Sequence, residues 1–452
     1  MDFYNYVNEH SQAIIDELKA LCKIESVLDA YNPKREEAPF GEGIQAALDH
    51  MLNRAKKDGF VIKNIKNHAA HIEHGDGEAL LGILCHLDVV PPGEGWSHPP
   101  FQPTIKEGKL FARGSMDDKG PTIAAYFALK FLKDLDVTFK KRVRIILGTD
   151  EETAWRGIGK YFETEEKPTL GFAPDASFPL IYAEKGMLNF DIEGSFYDDD
   201  LITFHAGERY NVVPDRAWCT LKRDLKTPFK NFLKYYNFKG EIQGDRYIVH
   251  GKNAHAMQPH LGVNAGFVLA KFLSEHIDNP FIKVIQEKLS FDAFGEKLGI
   301  YYTHDEMKAF TINPGVFQYD ENGSLIGINC RYPKSYPLKK NTEKIKTVLN
   351  AYGLIYQEKQ NLPVHYVDKN TPLVETLMKA YRKVTNDTDS EPFTIGGGTY
   401  ARALGNAVAF GMLMPGRDDV VHQVDEHVYI DDLIEATAVY MEAIYELTRQ
   451  SN

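Results

Sequence analysis

Cysteine is scarce and poorly spaced for chemistry: the chain holds four, Cys22, Cys85, Cys219 and Cys330, and no CxxC pair. That speaks against a disulfide framework or a thiolate zinc site and fits reduced thiols in the cytoplasm. Runs of Lys and Arg are also missing. With a formal net charge of −12, this argues against nucleic acid or an anionic membrane as a partner. No apolar run approaches the roughly 20 residues of a membrane span. The opening Met1-Asp-Phe-Tyr-Asn-Tyr-Val-Asn-Glu9 shows neither the basic nor the apolar region of a secretory leader. No segment is low in complexity, and the expectation is a cytoplasmic protein.

What is present is an ordinary globular composition in a chain of 452 residues, too long for one small core. Helical spacing covers 4–23 and 43–57, and Pro121 suits the first turn of a helix over 121–135. Residues 60–74, 80–90, 143–148 and 168–183 read as strands. Alternation of strands and helices predicts a mixed α/β fold with a mostly parallel sheet flanked by helices. The texture changes near Gly186. Residues 188–366 contain strands, a long apolar helical stretch over 263–276 and a faint internal echo. Each copy has a Gly-containing turn before a strand, then a helix and another strand, which predicts an inserted α+β domain of two related units. From Thr371 the α/β texture returns, with helix 372–386, strand 407–413 and helix 430–449. The expected division is one domain in two pieces, 1–185 and 369–452, interrupted by another over 186–368.

Acid and imidazole groups recur at the predicted strand ends. Leu81-Gly-Ile-Leu-Cys-His86-Leu-Asp88 closes an apolar run with a His and, two residues on, an Asp; in a strand both lie on one face. Alone, this pair reads as a solvated turn, and alternation turns Cys85 to the opposite face, into packing. Arg113-Gly-Ser-Met-Asp117-Asp118-Lys-Gly-Pro121 sets adjacent carboxylates at a helix start, where capping and a bound cation are both open readings. Gly148-Thr-Asp150-Glu151-Glu152 stacks three acids that repel unless a metal is near or one keeps its proton. Pro174-Asp175 and Gly416-Arg-Asp-Asp-Val-Val-His422-Gln-Val-Asp-Glu426 complete the set. Strands of one parallel sheet deliver their ends to a common rim. Two His with several carboxylates suit zinc, with manganese or cobalt as alternatives, and could hold two ions around one shared acid.

His86-Leu-Asp88, Gly114-Ser-Met-Asp117-Asp118-Lys-Gly-Pro, Thr149-Asp-Glu151-Glu152, Pro174-Asp175 and the late His422 together resemble the M20 family of di-metal peptidases. That family includes carboxypeptidases, aminoacylases, desuccinylases and carnosinase-like dipeptidases. The Asp-Asp-Lys-Gly-Pro wording is most similar to the dipeptidase V and carnosinase-like branch. The resemblance implies a zinc-exopeptidase-like catalytic domain and an inserted lid. It implies that Asp117 bridges two divalent ions, that His86 and Asp175 complete one site and that Glu152 and His422 complete the other. Asp118 becomes the neighbour across a cis peptide, Asp88 the residue orienting His86, and Glu151 the general base for a metal-bridging water. Only the family's Asp-Glu-Glu register decides between Glu151 and Glu152. In the lid, Gly251-Lys-Asn-Ala-His255 followed by Gly262-Val-Asn264 resembles the family's oxyanion-binding His, while Asn211 and Arg331 match residues that reach the substrate.

Arg is also a natural partner for a dipeptide's C-terminal carboxylate. Gly396-Gly-Gly398-Thr399-Tyr-Ala-Arg402 is expected to open a helix whose N–H groups cradle that carboxylate; Arg402 reads equally well as a surface charge. The size of the inserted domain and its echo resemble dipeptidases in which an extra unit imitates a partner's lid, which implies a monomer. The implied activity is hydrolysis of small unblocked dipeptides with broad side-chain tolerance, and the alternative is deacylation of N-acyl or N-succinyl amino acids at the same centre. A metal-dependent binding module without catalysis would not need both Glu151 and Glu152.

Overall fold

The computed structural model describes residues 2–196 and 198–449. The chain divides into two compact units, one of Met1–Ala183, Val367–Phe393 and Thr399–Asn452, the other of Glu184–Tyr366 and Thr394–Gly398.

The first unit is a mixed α/β layer structure. Its strands run in the order Val61–Ile65, Ala69–His74, Arg142–Gly148, Leu80–His86, Leu170–Ala173 and Ala407–Ala409. The last four are mutually parallel, while the Val61–Ile65 side is antiparallel. All seven residues of Leu80–His86 are buried, as a central strand covered on both faces requires. Helices Lys119–Asp134 and Ile430–Arg449 pack against each other and bury most of their length.

Several expected elements break where side chains or backbone intervene. Helix 4–23 divides into Phe3–Glu9 and Ser11–Cys22. Between them, His10 stacks on Tyr6 with ring centroids 4.4 Å apart and bonds the Tyr6 carbonyl at 2.8 Å. Strand 60–74 is a hairpin that turns at Lys66 and Asn67, both at positive φ. The 80–90 strand stops at His86, since Leu87 N–H bonds the Gly148 carbonyl and Val89 N–H the Ser26 carbonyl. Strand 407–413 splits into Ala407–Ala409 and Met412–Leu413. The bend lies at Gly411, at φ +91°, where a Cβ would come within 2.4 Å of Phe178 and the Tyr440 hydroxyl.

The second unit is an eight-stranded antiparallel sheet. Its order is Lys239–Gln243, Arg246–His250, Arg216–Leu221, Leu201–Ala206, Thr311–Asp320, Gly323–Tyr332, Gly186–Gly194 and Ile355–Leu362. The echo is visible as two hairpins, Leu201–Ala206 with Arg216–Leu221 and Thr311–Asp320 with Gly323–Tyr332, each followed by a helix, Lys226–Tyr236 or Leu338–Asn350, and by a further strand. The hairpins meet along Phe204↔Tyr319, His205↔Gln318 and Ala206↔Phe317. The apolar stretch is helix Ala265–Ser274, capped by the Asn264 side chain on Gly266 N–H at 3.0 Å. Among the described residues, no helix is long and apolar enough to cross a membrane.

Candidate metal centre

In the first unit five of the sequence-identified residues come together: His86, Glu152 and Asp175 lie at or just after parallel strands, Asp117 just before helix Lys119–Asp134, and His422 in the loop between Met412–Leu413 and His427–Tyr429. His86 closes its strand fully buried, with Nδ1 bonded to the Asp88 backbone carbonyl at 2.9 Å. Nε2 therefore faces the other way, 3.0 Å from Asp117 Oδ1 and 3.5 Å from Asp175 Oδ2. It has no hydrogen-bond partner there although it is buried. The second oxygen of Asp117, Oδ2, lies 2.9 Å from His422 Nε2, and that nitrogen is also 2.9 Å from Glu152 Oε1. Two donor groups result, His86–Asp117–Asp175 and Asp117–Glu152–His422, sharing Asp117 through different oxygens.

These residues fit divalent metal ions. Each group offers one imidazole and two carboxylates, a donor set suited to zinc, manganese or cobalt. An orphaned, fully buried imidazole nitrogen aimed between carboxylates is where a ligand lone pair is needed. The electrostatics agree. Burial raises Glu152 to about 7, with Asp117 adding repulsion and His422 opposing it. Burial and then the Asp117 charge raise Asp175. Glu151 is raised well above the carboxylate range by burial, and by Asp175, Glu152 and Asp117 against the opposing charge of His86. Hydrogen bonds to Asp117 and then Glu152 push His422 up to about 10. Crowded acids hold protons that cations would displace.

Asp88 meets His86 through its backbone carbonyl rather than through its carboxylate. Because the strand ends at His86, the two side chains are not simple strand neighbours, and Nδ1 takes the Asp88 carbonyl in preference to its carboxylate, 3.5 Å away. The carboxylate instead accepts the N–H groups of Glu151 and Glu152, both at 3.1 Å, and so holds the turn carrying both acids. The third acid, Asp150, turns inward to accept Arg156 N–H, Gly157 N–H and Arg156 Nε at 2.7–3.0 Å. The peptide between Asp117 and Asp118 is cis. The Asp118 side chain does not cap its helix but accepts His86 N–H at 2.8 Å and the Thr122 hydroxyl at 3.2 Å.

Sequence reasoning missed the role of Glu426. Its fully buried carboxylate pairs with Arg113 Nη1 at 2.6 Å and accepts the N–H groups of Gly114, Met116 and Asp117 at 2.9–3.2 Å. It holds the peptide of Asp117, the residue common to both donor groups. The available signal was that Arg113 opens the second acid cluster and Glu426 closes the fifth.

In the second unit, Asn211 and His255 lie on neighbouring segments: Val212 bridges His255, and Ala256 N–H bonds the Asn211 carbonyl at 2.9 Å. Asn313, also missed, donates to the Tyr210 and Val212 carbonyls on either side of Asn211. His255 Nδ1 accepts Met257 N–H at 3.1 Å, which leaves the proton of a neutral ring on Nε2. Arg331 is buried, with Nε on Asn329 Oδ1 at 2.8 Å and Nη1 on the Gly396 carbonyl at 3.2 Å. The helix expected after Gly398 is absent. Tyr400–Ala403 forms a four-residue 3-10 turn in which the Thr399 hydroxyl accepts Ala401 N–H at 3.3 Å. Thr399 caps this turn and Arg402 lies within it, so the segment opens a single short turn where an α-helix was expected.

A family model described as peptidase family M20/M25/M40 matches residues 82–446. A Staphylococcus aureus (strain USA300) protein named "Putative dipeptidase" is 44% identical over 462 residues, covering 98% of each chain. Human carnosine dipeptidase 1 has a similar fold, with a TM-score of 0.58 at 15% identity over 99% of both chains. Aminoacylhistidine dipeptidase from Vibrio alginolyticus reaches 0.56 at 13% identity over 97% of both. With the family match spanning all five residues of the two donor groups, the chain belongs to peptidase family M20/M25/M40 and is a peptide hydrolase.

Proposed function

We propose that this hydrolase is a two-metal dipeptidase that cleaves unblocked dipeptides with broad side-chain tolerance. The observation that carries the reading is Asp117, whose two oxygens serve two donor groups while Glu151 stands beside them unused by either. The dipeptidase name of the Staphylococcus aureus relative supports a dipeptide as substrate. His86 and Asp175 would hold one ion, Glu152 and His422 the other, and Asp117 both, with zinc the first candidate and manganese or cobalt also suited. Such ions supply a Lewis acid for the scissile carbonyl and lower the pKa of the attacking water.

The chain's own residues do the rest. Glu151 takes a proton from the attacking water and returns it to the leaving amine. Asp88 holds Glu151 and Glu152 by their N–H groups, and His86 by its own carbonyl. His255 offers Nε2–H to the developing oxyanion. Arg331 pairs with the substrate's C-terminal carboxylate, Asn211 contacts the substrate, and Gly398, Thr399 and Arg402 border the carboxylate. The doubled hairpin-and-helix unit supports a monomer, and four buried free cysteines fit a cytoplasmic location.

The test is a panel of unblocked dipeptides against N-acyl and N-succinyl amino acids. Higher kcat/KM on dipeptides across varied side chains is expected. Higher kcat/KM on the acylated amino acids would make the chain a deacylase instead.

A further inference from the structure

One face of the second unit's sheet carries a row of amides. Register sets Asn329 opposite Asn189, and Asn189 opposite Gln360, across three adjacent strands. Their bonds all run one way. Asn189 Nδ2 donates to Gln360 Oε1 at 3.0 Å, and Asn329 Nδ2 donates to Asn189 Oδ1 at 2.6 Å. Asn329 Oδ1 then accepts Arg331 Nε–H at 2.8 Å. An asparagine has its donor and acceptor on opposite branches. Donation to Asn189 therefore commits the oxygen of Asn329 to the arginine. Asn329 is 1% exposed and Arg331 6%, so this charge-assisted bond lies out of water, where it is strengthened.

We propose that this ladder is a positioning device, in which Asn329 aims the Arg331 guanidinium at the C-terminal carboxylate of a dipeptide and so sets the preference for a free carboxylate over an amide. The inference rests on the dipeptidase reading above. A guanidinium is a rigid planar fork, so fixing its Nε–H direction fixes the plane in which it meets a carboxylate. An amide serves this purpose where an acid would not. Aspartate at 329 could accept the same N–H, but its charge would offset the cation that attracts the substrate. The aligned amides place the acceptor end of the row at Arg331 and the other end at exposed Gln360.

The test compares one dipeptide with its C-terminal amide, in wild type and in Asn329→Ala, Asn329→Asp and Asn189→Ala. Wild type is expected to prefer the free acid. In Asn329→Ala, KM for the acid should rise about tenfold, the loss of roughly one charge-assisted bond, with kcat within about twofold and the amide unaffected. Asn329→Asp should also raise KM for the acid alone. Asn189→Ala, at a half-buried position, should shift it in the same direction by less, and it serves where Asn329→Ala does not fold. In an Arg331→Lys background, Asn329→Ala should add nothing. Equal losses on acid and amide, an unchanged acid-to-amide ratio in a folded variant, or a wild type that cleaves both alike would overturn the proposal. A wild type that cleaves neither overturns the dipeptidase reading itself, and this inference with it.

Discussion

Glu426→Gln should be among the most damaging conservative changes in the first unit. The wild-type carboxylate is 0% exposed and Arg113 is 1% exposed. One oxygen takes Arg113 Nη1 and Gly114 N–H; the other takes Met116 N–H and Asp117 N–H. Whichever oxygen the glutamine amide replaces, two buried donors then face an NH2 group, and Arg113 loses its counter-charge. An uncompensated buried partner costs about 3–5 kcal/mol, and each donor left unsatisfied costs about 1–3 kcal/mol. These overlap, so the expected loss is about 3–5 kcal/mol. Chelator-treated protein in a Trp218→Phe background would be unfolded in urea and followed by Trp96 and Trp155 fluorescence. Trp96 is the direct reporter, because Arg113 lies 5.1 Å over its ring. Adding Arg113→Met to Glu426→Leu should recover part of the loss of Glu426→Leu alone, because the unpaired buried cation is removed while the same three N–H groups stay unsatisfied. Metal affinity of Glu426→Gln should fall roughly 10- to 100-fold, as when a group supporting a ligand is lost. Stability within about 1 kcal/mol of wild type would refute the reasoning.

Other expectations follow from the same geometry. Glu151→Gln should cut kcat by about 10²–10⁴ with metal content intact; near-normal turnover would remove Glu151 as the base. His422→Ala should lower bound metal from two equivalents to one, whereas Asp117→Ala should lose both, measured by elemental analysis after gel filtration. His71 is buried against the Tyr161 hydroxyl at 2.8 Å, and burial, with Arg144 adding to it, lowers its pKa from 6.5 to about 4. Its folded-state pKa is depressed, so the unfolded chain gains the proton first as pH falls, and stability present above pH 6.5 is lost towards pH 4. About 2 kcal/mol should go between pH 7 and 5, and His71→Gln should lack that part in paired urea titrations.

What could be read from the sequence is what local pattern controls. Leu80–His86 is apolar throughout because both faces are covered, and its last residue falls at the sheet rim. The Asp117-Asp118 and Glu151-Glu152 pairs are conspicuous because adjacent acids are costly without a cation. Partnerships across the chain were not legible. Arg113 and Glu426 lie 313 positions apart, and neither neighbourhood predicts the other. Asp88 meets His86 by its carbonyl because the strand ends at His86, and its carboxylate meets a turn from another strand. Asp150 is chemically like Glu151, yet the start of the Arg156–Tyr161 helix turns it inward. The bend at Gly411 depends on crowding by Phe178 and Tyr440, which no apolar run discloses.

If two donor groups sharing Asp117 make this chain a metal-dependent dipeptidase, its hydrolysis of dipeptides should follow its metal content. The most direct test is dipeptide hydrolysis by chelator-dialysed protein titrated separately with zinc, manganese and cobalt. No turnover is expected without metal, and activity should saturate near two equivalents of at least one ion. Full hydrolysis by verified metal-free protein would contradict the metal-dependent reading.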